Sequence, residues 1–213
     1  MEDNKDRMDV YVLLDRTGSM ATLWTEAVSS VNAYVKELAK DGVGDRVTLA
    51  VFDSNEKGLQ FDVLRDFVLI TEWEEIKEDE VQPRGMTPLF DALAKLISRA
   101  EVIDNGKTAI VVMTDGQENA SKEVSRKAMK ASLDRVRAKN WQVNFLGADF
   151  DGFVDAQSLG VAKAYQMNFA PGSAEAAMAS TARRHSLYRN SMEPVYYTKE
   201  DRDDAREDDA GKE

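Results

Sequence analysis

Asp9 to Leu14 is a nearly unbroken apolar, β-branched run ending at Asp15, the pattern of a strand buried on both faces. Trp24, Ala27, Val28, Val31, Tyr34, Val35 and Leu38 then recur at helical spacing, with Glu26, Ser30, Lys36 and Glu37 on the opposite side. The helix is expected to stop near Asp41 and Gly42, glycine tolerating a left-handed cap. Arg46–Phe52 and Leu59–Arg65 read as two strands joined through the polar segment Asp53 to Gly58, which predicts an antiparallel pair. The acidic stretch Thr71–Val81 suggests a short helix, and Pro88 suits the first turn of the next one. In that helix Leu89, Leu93, Leu96, Ile97, Ala100 and Ile103 form one stripe that Asn105-Gly106 ends.

Further strands are predicted over Thr108–Met113 and Trp141–Leu146, with a short edge strand over Lys163–Met167. Between them Ser121 is placed to cap a helix to about Ala138 carrying a Glu123–Lys127 pair, and a weaker helix covers Gly152 to Leu159. Ser173 opens a last helix to about Asn190. Strands alternating with helices imply an α/β fold: a doubly wound, Rossmann-like, mostly parallel sheet with one antiparallel strand and helices on both faces. Residues 1–8 read as an extension, 9–192 as one domain, and 193–213 as an acidic, disordered tail. From Lys199 to Glu213 that tail carries eight acidic and four basic side chains, a net charge of -4.

At 213 residues and 43% apolar content the chain can bury one sizeable core. It has no cysteine, which excludes a disulfide framework and a thiol nucleophile and fits the cytoplasm. No secretory signal or membrane span is read in it. A net charge of -11 disfavours nonspecific attraction to nucleic acid or anionic lipid.

Ligands of open α/β sheets gather beyond the carboxyl ends of the strands. Three loops there are rich in oxygen donors: Asp15, Thr17 and Ser19 in Asp-Arg-Thr-Gly-Ser-Met, Thr87 before the second long helix, and Asp115 after the fourth strand. Alternate side chains at 15, 17 and 19 can turn toward one centre, with Gly18 relieving the backbone. Two carboxylates and three hydroxyls are hard donors, so Mg²⁺ is the expected ion, with Mn²⁺ or Ca²⁺ as alternatives.

This arrangement resembles the von Willebrand factor A domain family, whose metal-ion-dependent adhesion site combines Asp-x-Ser-x-Ser, a distant Thr and an Asp after a later strand. Thr17 replaces the middle serine and keeps its hydroxyl. Gly85-Met-Thr-Pro-Leu, Val111-Val-Met-Thr-Asp-Gly and Phe145-Leu-Gly-Ala look like bacterial and phage members, and the resemblance spans about Val10 to Ala170. It implies direct ligation by Thr17 and Ser19, ligation by Thr87 in the ligand-bound state, Asp15 and Asp115 often acting through water, and a remaining position for a partner's Asp or Glu.

The resulting expectation is a metal-dependent protein-interaction module, not an enzyme. A Mg²⁺-dependent phosphatase-like or phosphotransferase-like enzyme and a structural subunit of a bacterial or phage assembly are the alternatives. Arg16 and Arg84 flank the site and could meet an acidic partner. His185, the only histidine, reads as a packed or surface residue. Turn or cap roles are assigned to Asp53, Asp149 and Asp151.

Overall fold

A computed structural model describes residues 7–103, 106–148 and 153–205. The elements run β1 (Asp9–Asp15), α1 (Trp24–Leu38), β2 (Arg46–Asn55), β3 (Gly58–Leu69), α2 (Leu89–Ile103), β4 (Thr108–Met113), α3 (Arg126–Arg137), β5 (Gln142–Gly147), α4 (Phe153–Ser158), β6 (Gln166–Asn168), α5 (Ala174–Ser191) and α6 (Lys199–Asp204). One six-stranded sheet has the order β3-β2-β1-β4-β5-β6. Among the described strands of this sheet, only the β2–β3 pairing is antiparallel. This is the doubly wound α/β sheet that the alternating pattern predicts.

Pleating divides β1 between two cores. Val10, Val12 and Leu14 point into the layer filled by α1 and α5, while Tyr11 and Leu13 point into the layer filled by α2 and α3. All seven β1 residues are buried, which is why the strand has no polar alternation. The chain builds outward from β1 through β2 to β3, then returns to the other side of β1 with β4. The order therefore reverses between β1 and β4, the crevice where open sheets place their ligands.

Several boundaries differ from the sequence expectation for identifiable reasons. The connection from β2 to β3 is only Glu56-Lys57, because pairing continues to Asn55↔Gly58 and Gly58 takes φ +102°. Thr71–Val81 forms no α-helix: a 3₁₀ turn at Ile70–Glu72 leads into irregular chain held along α1. There Asn32 donates to Ile76 O at 2.9 Å, and Trp24 Nε1 donates to Glu78 O at 3.2 Å. Ser30 is buried rather than on a polar face, its hydroxyl donating to Ala27 O at 2.8 Å. Gly42 is not left-handed; a Cβ there would collide with the Arg189–Asp45 ion pair.

The cap of α3 is Ser125, which accepts from Ala128 N–H, not Ser121. Asp91 accepts the N–H groups of Lys122, Glu123 and Val124 and so holds them in a loop, leaving Glu123 off the helix. Lys163–Tyr165 is a 3₁₀ turn, so β6 starts at Gln166. Ala174 N–H at the start of α5 donates to Glu26 Oε1 at 2.7 Å instead of receiving a cap from Ser173. Gly152, Asn105, Asp149 and Asp151 lie outside the described residues.

The expected tail is ordered over its first part. Thr198 and Asp201 cap α6 reciprocally, Arg184 pairs with the buried Asp201 at 2.7 Å, and Ala205 is fully buried. The acidic residues there are partners of α5 as well as solvated charge. His185 of α5 is also fully buried: its Nδ1 lies 2.5 Å from Tyr34 Oη and its Nε2 3.0 Å from Asn144 Oδ1. The tyrosine hydroxyl then donates to Nδ1, and Nε2–H donates to the amide oxygen. Burial pulls the imidazole pKa down to about 3.

Candidate functional site

The five residues Asp15, Thr17, Ser19, Thr87 and Asp115 meet in the crevice between β1 and β4. Asp15 is the last residue of β1 and fully buried. Its Oδ1 accepts Thr17 N–H at 2.7 Å and its Oδ2 accepts the Thr114 hydroxyl at 2.6 Å. Burial pushes the Asp15 carboxyl up to about 6, against the pull of the Thr114 and Thr17 hydrogen bonds, with nearby Asp115 adding to the rise.

The three hydroxyls form a directed chain. Ser19 Oγ donates to Asp115 Oδ1 at 2.9 Å, so its one proton is spent there. Thr17 must then donate to Ser19 across 3.2 Å, and Thr87 donates to Thr17 across 3.3 Å. An octahedral cation with oxygens at about 2.0–2.1 Å separates neighbouring ligands by about 2.8–3.0 Å. The spacings in the cluster are near that value, and the donor set is all oxygen, so these residues fit a hard divalent cation. Among the described residues, no group of three or more acidic, histidine or cysteine side chains could hold a metal ion, so a cation in this cluster would rest on its hydroxyls as well as its two carboxylates.

The Thr87 loop is fastened to the first loop by its backbone. Arg84 N–H donates to Arg16 O at 2.8 Å, and Gly18 N–H donates to Gly85 O at 3.2 Å. Gly85 has φ +72°, and a Cβ there would collide with Ser54 O, so only glycine fits. On the other side Thr87 N–H donates to Asn119 Oδ1 at 2.9 Å while Asn119 N–H returns a bond to Thr87 O at 3.1 Å. Gly116 follows Asp115; a Cβ on it would stand 3.0 Å from Thr87 Oγ1 and 3.6 Å from Ser19 Oγ, crowding the cluster.

Sequence reasoning missed four residues that position the site: Thr114, Asn119, Glu118 and Asp91. Glu118 accepts Phe90 N–H at the start of α2 at 2.8 Å, and also Ser121 N–H at 2.7 Å. A carboxylate two to four residues past Asp115, in a loop that must fold back over α2, was the available signal. The flanking arginines also divide. Arg16 is buried, with Nε on Asp53 Oδ1 at 2.7 Å and Nη2 on Asp62 at 2.6 Å, so it is not offered to a partner. Asp53 is thus a buried counter-ion, not a turn or cap residue.

Comparison with known proteins follows the geometry. The von Willebrand factor type A domain profile matches residues 9–177, and the chain belongs to that family. A sequence search of characterised proteins finds no match. The fold is shared with the pilus adhesin SpaC of Lactobacillus rhamnosus GG in its open conformation (TM-score 0.65, 13% identity, 84% of this chain and 30% of that one). It is shared also with the manganese-loaded TRAP protein of Plasmodium vivax (TM-score 0.58, 15% identity, 84% and 74%). A third likeness is the PilB minor pilin of Streptococcus sanguinis, seen in its D319A mutant (TM-score 0.61, 12% identity, 88% and 64%). The chain spans less than a third of the pilus adhesin's length. Among the described residues no helix is long and apolar enough to cross a membrane.

Proposed function

We propose that this domain is a protein-interaction module in which Thr17, Ser19 and Thr87, with Asp15 and Asp115, hold a divalent cation, Mg²⁺ by preference. The cation takes an Asp or Glu side chain of a partner protein. The observation that carries the reading is the convergence, from three separate loops, of the Thr17, Ser19 and Thr87 hydroxyls and the Asp115 carboxylate into one cluster linked at 2.9–3.3 Å, with the Asp15 carboxylate bound to Thr17 N–H at 2.7 Å. Two ionised aspartates bring a divalent ion near neutrality, so it retains affinity for one further carboxylate.

The same geometry favours binding over phosphoryl transfer. A nucleophilic aspartate must present an oxygen directly to its substrate, whereas Asp15 is fully buried with both oxygens engaged, which suits a carboxylate acting on the cation through water. A manganese-loaded relative and two pilus proteins support an adhesive, metal-dependent role. A cytoplasmic setting, in a bacterial or phage context, is part of the proposal and rests on the lack of cysteine and the motif resemblance.

Calorimetric titration of the full chain with MgCl₂ and MnCl₂ tests the cation. Wild type binds one equivalent and Asp15→Ala none. Affinity capture with wild type in Mg²⁺, wild type in EDTA and Asp15→Ala tests the partner. Captured proteins common to all three arms, with none specific to the first, would contradict a cation-mediated contact.

A further inference from the structure

The rim of the proposed cation site is the turn from Arg84 to Thr87, and its backbone is anchored at every step. Arg84 N–H is held by Arg16 O at 2.8 Å, Gly85 O by Gly18 N–H at 3.2 Å, Met86 O by the Ser54 hydroxyl at 3.3 Å and Thr87 N–H by Asn119 at 2.9 Å. With Gly85 confined against Ser54, the turn has little room to relax. It therefore presents the side chains of Arg84 and Met86 at fixed places, the condition for a preorganised contact.

Arg84 differs from Arg16 in what it leaves open. Its Nε donates to Asp53 Oδ2 at 3.0 Å, while its terminal nitrogens have no partner among the described residues and the side chain is 59% exposed. Asp53 is itself fully buried and held from the other side by Arg16, so it is a rigid post for the guanidinium. A planar fork fixed at Nε and open at its far edge is the geometry that receives a carboxylate in two parallel hydrogen bonds. Met86, between Arg84 and Thr87, is 54% exposed and adds an apolar contact.

The geometry points to Arg84 as the receptor for a second carboxylate on the partner, in the same segment whose first carboxylate meets the cation. The inference rests on the metal-site reading above. Arg84 and Thr87 are three residues apart, so their Cα atoms lie within about 10–11 Å. An extended peptide covers about 7–10 Å in two to three residues. The partner segment is an acidic peptide with two carboxylates spaced by one or two residues, at least one of them apolar. In the acidic run nearby Glu80 is neutralised by Arg65, and charges farther off are screened over about 8 Å at physiological salt.

Displayed random peptides selected on the full chain in Mg²⁺, with elution by EDTA, test this. Wild type enriches pairs of acids flanking an apolar residue. Arg84→Gln enriches single acids, and a synthetic Glu-Leu-Glu peptide loses about tenfold or more of its preference over Glu-Leu-Gln on that variant. Arg84→Lys, which keeps the charge without the fork, falls between. Circular dichroism and an unchanged Mg²⁺ affinity confirm that both variants fold. EDTA-eluted single-acid peptides on wild type, or paired acids retained by Arg84→Gln, overturn the inference and leave the cation reading intact. No EDTA-sensitive enrichment on any protein overturns both.

Discussion

The Thr114 hydroxyl donates to Asp15 Oδ2 across 2.6 Å, joining the end of β4 to the end of β1 beneath the cluster. That bond aims the carboxylate and pulls its pKa down against the burial that raises it to about 6. Thr114→Val keeps the shape and removes the donor. The expected result is a 10–100-fold loss of Mg²⁺ affinity, the usual cost of losing a partner that orients a ligand. Calorimetry with Thr114→Ser, which restores the donor and the affinity, separates this from misfolding.

Cation binding should be visible as stability. At a free Mg²⁺ concentration about 100 times its Kd, wild type gains about 2.7 kcal/mol by mass action. Asp15→Asn gains nothing from Mg²⁺. A thermal scan with and without EDTA measures both, and an equal Mg²⁺ response in the two proteins would count against Asp15 as part of the site.

Gly116 and Gly85 are both required, for different reasons, and their alanine variants should separate. Gly116→Ala crowds Thr87 Oγ1, so it lowers Mg²⁺ affinity while leaving the unfolding midpoint in EDTA nearly unchanged. Gly85→Ala meets both a positive φ and the Ser54 carbonyl, so it destabilises the fold itself by about 1–3 kcal/mol. Urea unfolding of both variants in EDTA is the check.

His185 sets a pH window. Its folded pKa, about 3, lies below the unfolded value near 6.5, so its contribution to stability is complete above pH 6.5 and is lost as pH falls toward 3. Protonation would place a cation between Tyr34 and Asn144. Relative to wild type, His185→Gln should be less stable at pH 7.5, with the gap narrowing steadily between pH 6 and 4. Denaturant midpoints across that range give the answer; a gap independent of pH means the histidine is replaceable packing.

The legible parts of the molecule are those in which one physical demand dominates. β1 and β4 had to be apolar on both faces, α1 kept its stripe and α2 kept all of its stripe but the exposed Ile103 at its end, so the parallel sheet and its order of elements followed. That Asp15, Thr17, Ser19, Thr87 and Asp115 come together was legible because they sit just beyond buried strands of one parallel sheet, where the loops converge. Asp91 and Glu118 were not, since their partners are backbone N–H groups that any sequence supplies and only the fold brings near. The helix expected over Thr71–Val81 failed because Asn32 and Trp24 of α1 capture that backbone. The ordered start of the C-terminal segment was hidden by its charge, although Thr198 and Asp201 stand at capping-box spacing.

Leu14 of β1 lies opposite Met113 of β4, one residue before Asp15 and two before Asp115. Sliding β4 by a single residue would carry Asp115 about 3.3 Å along the strand direction and invert the facing of every β4 side chain. The Ser19–Asp115 contact would not survive such a slip. Assembly of the oxygen cluster is therefore a gauge of correct strand alignment at the centre of the sheet.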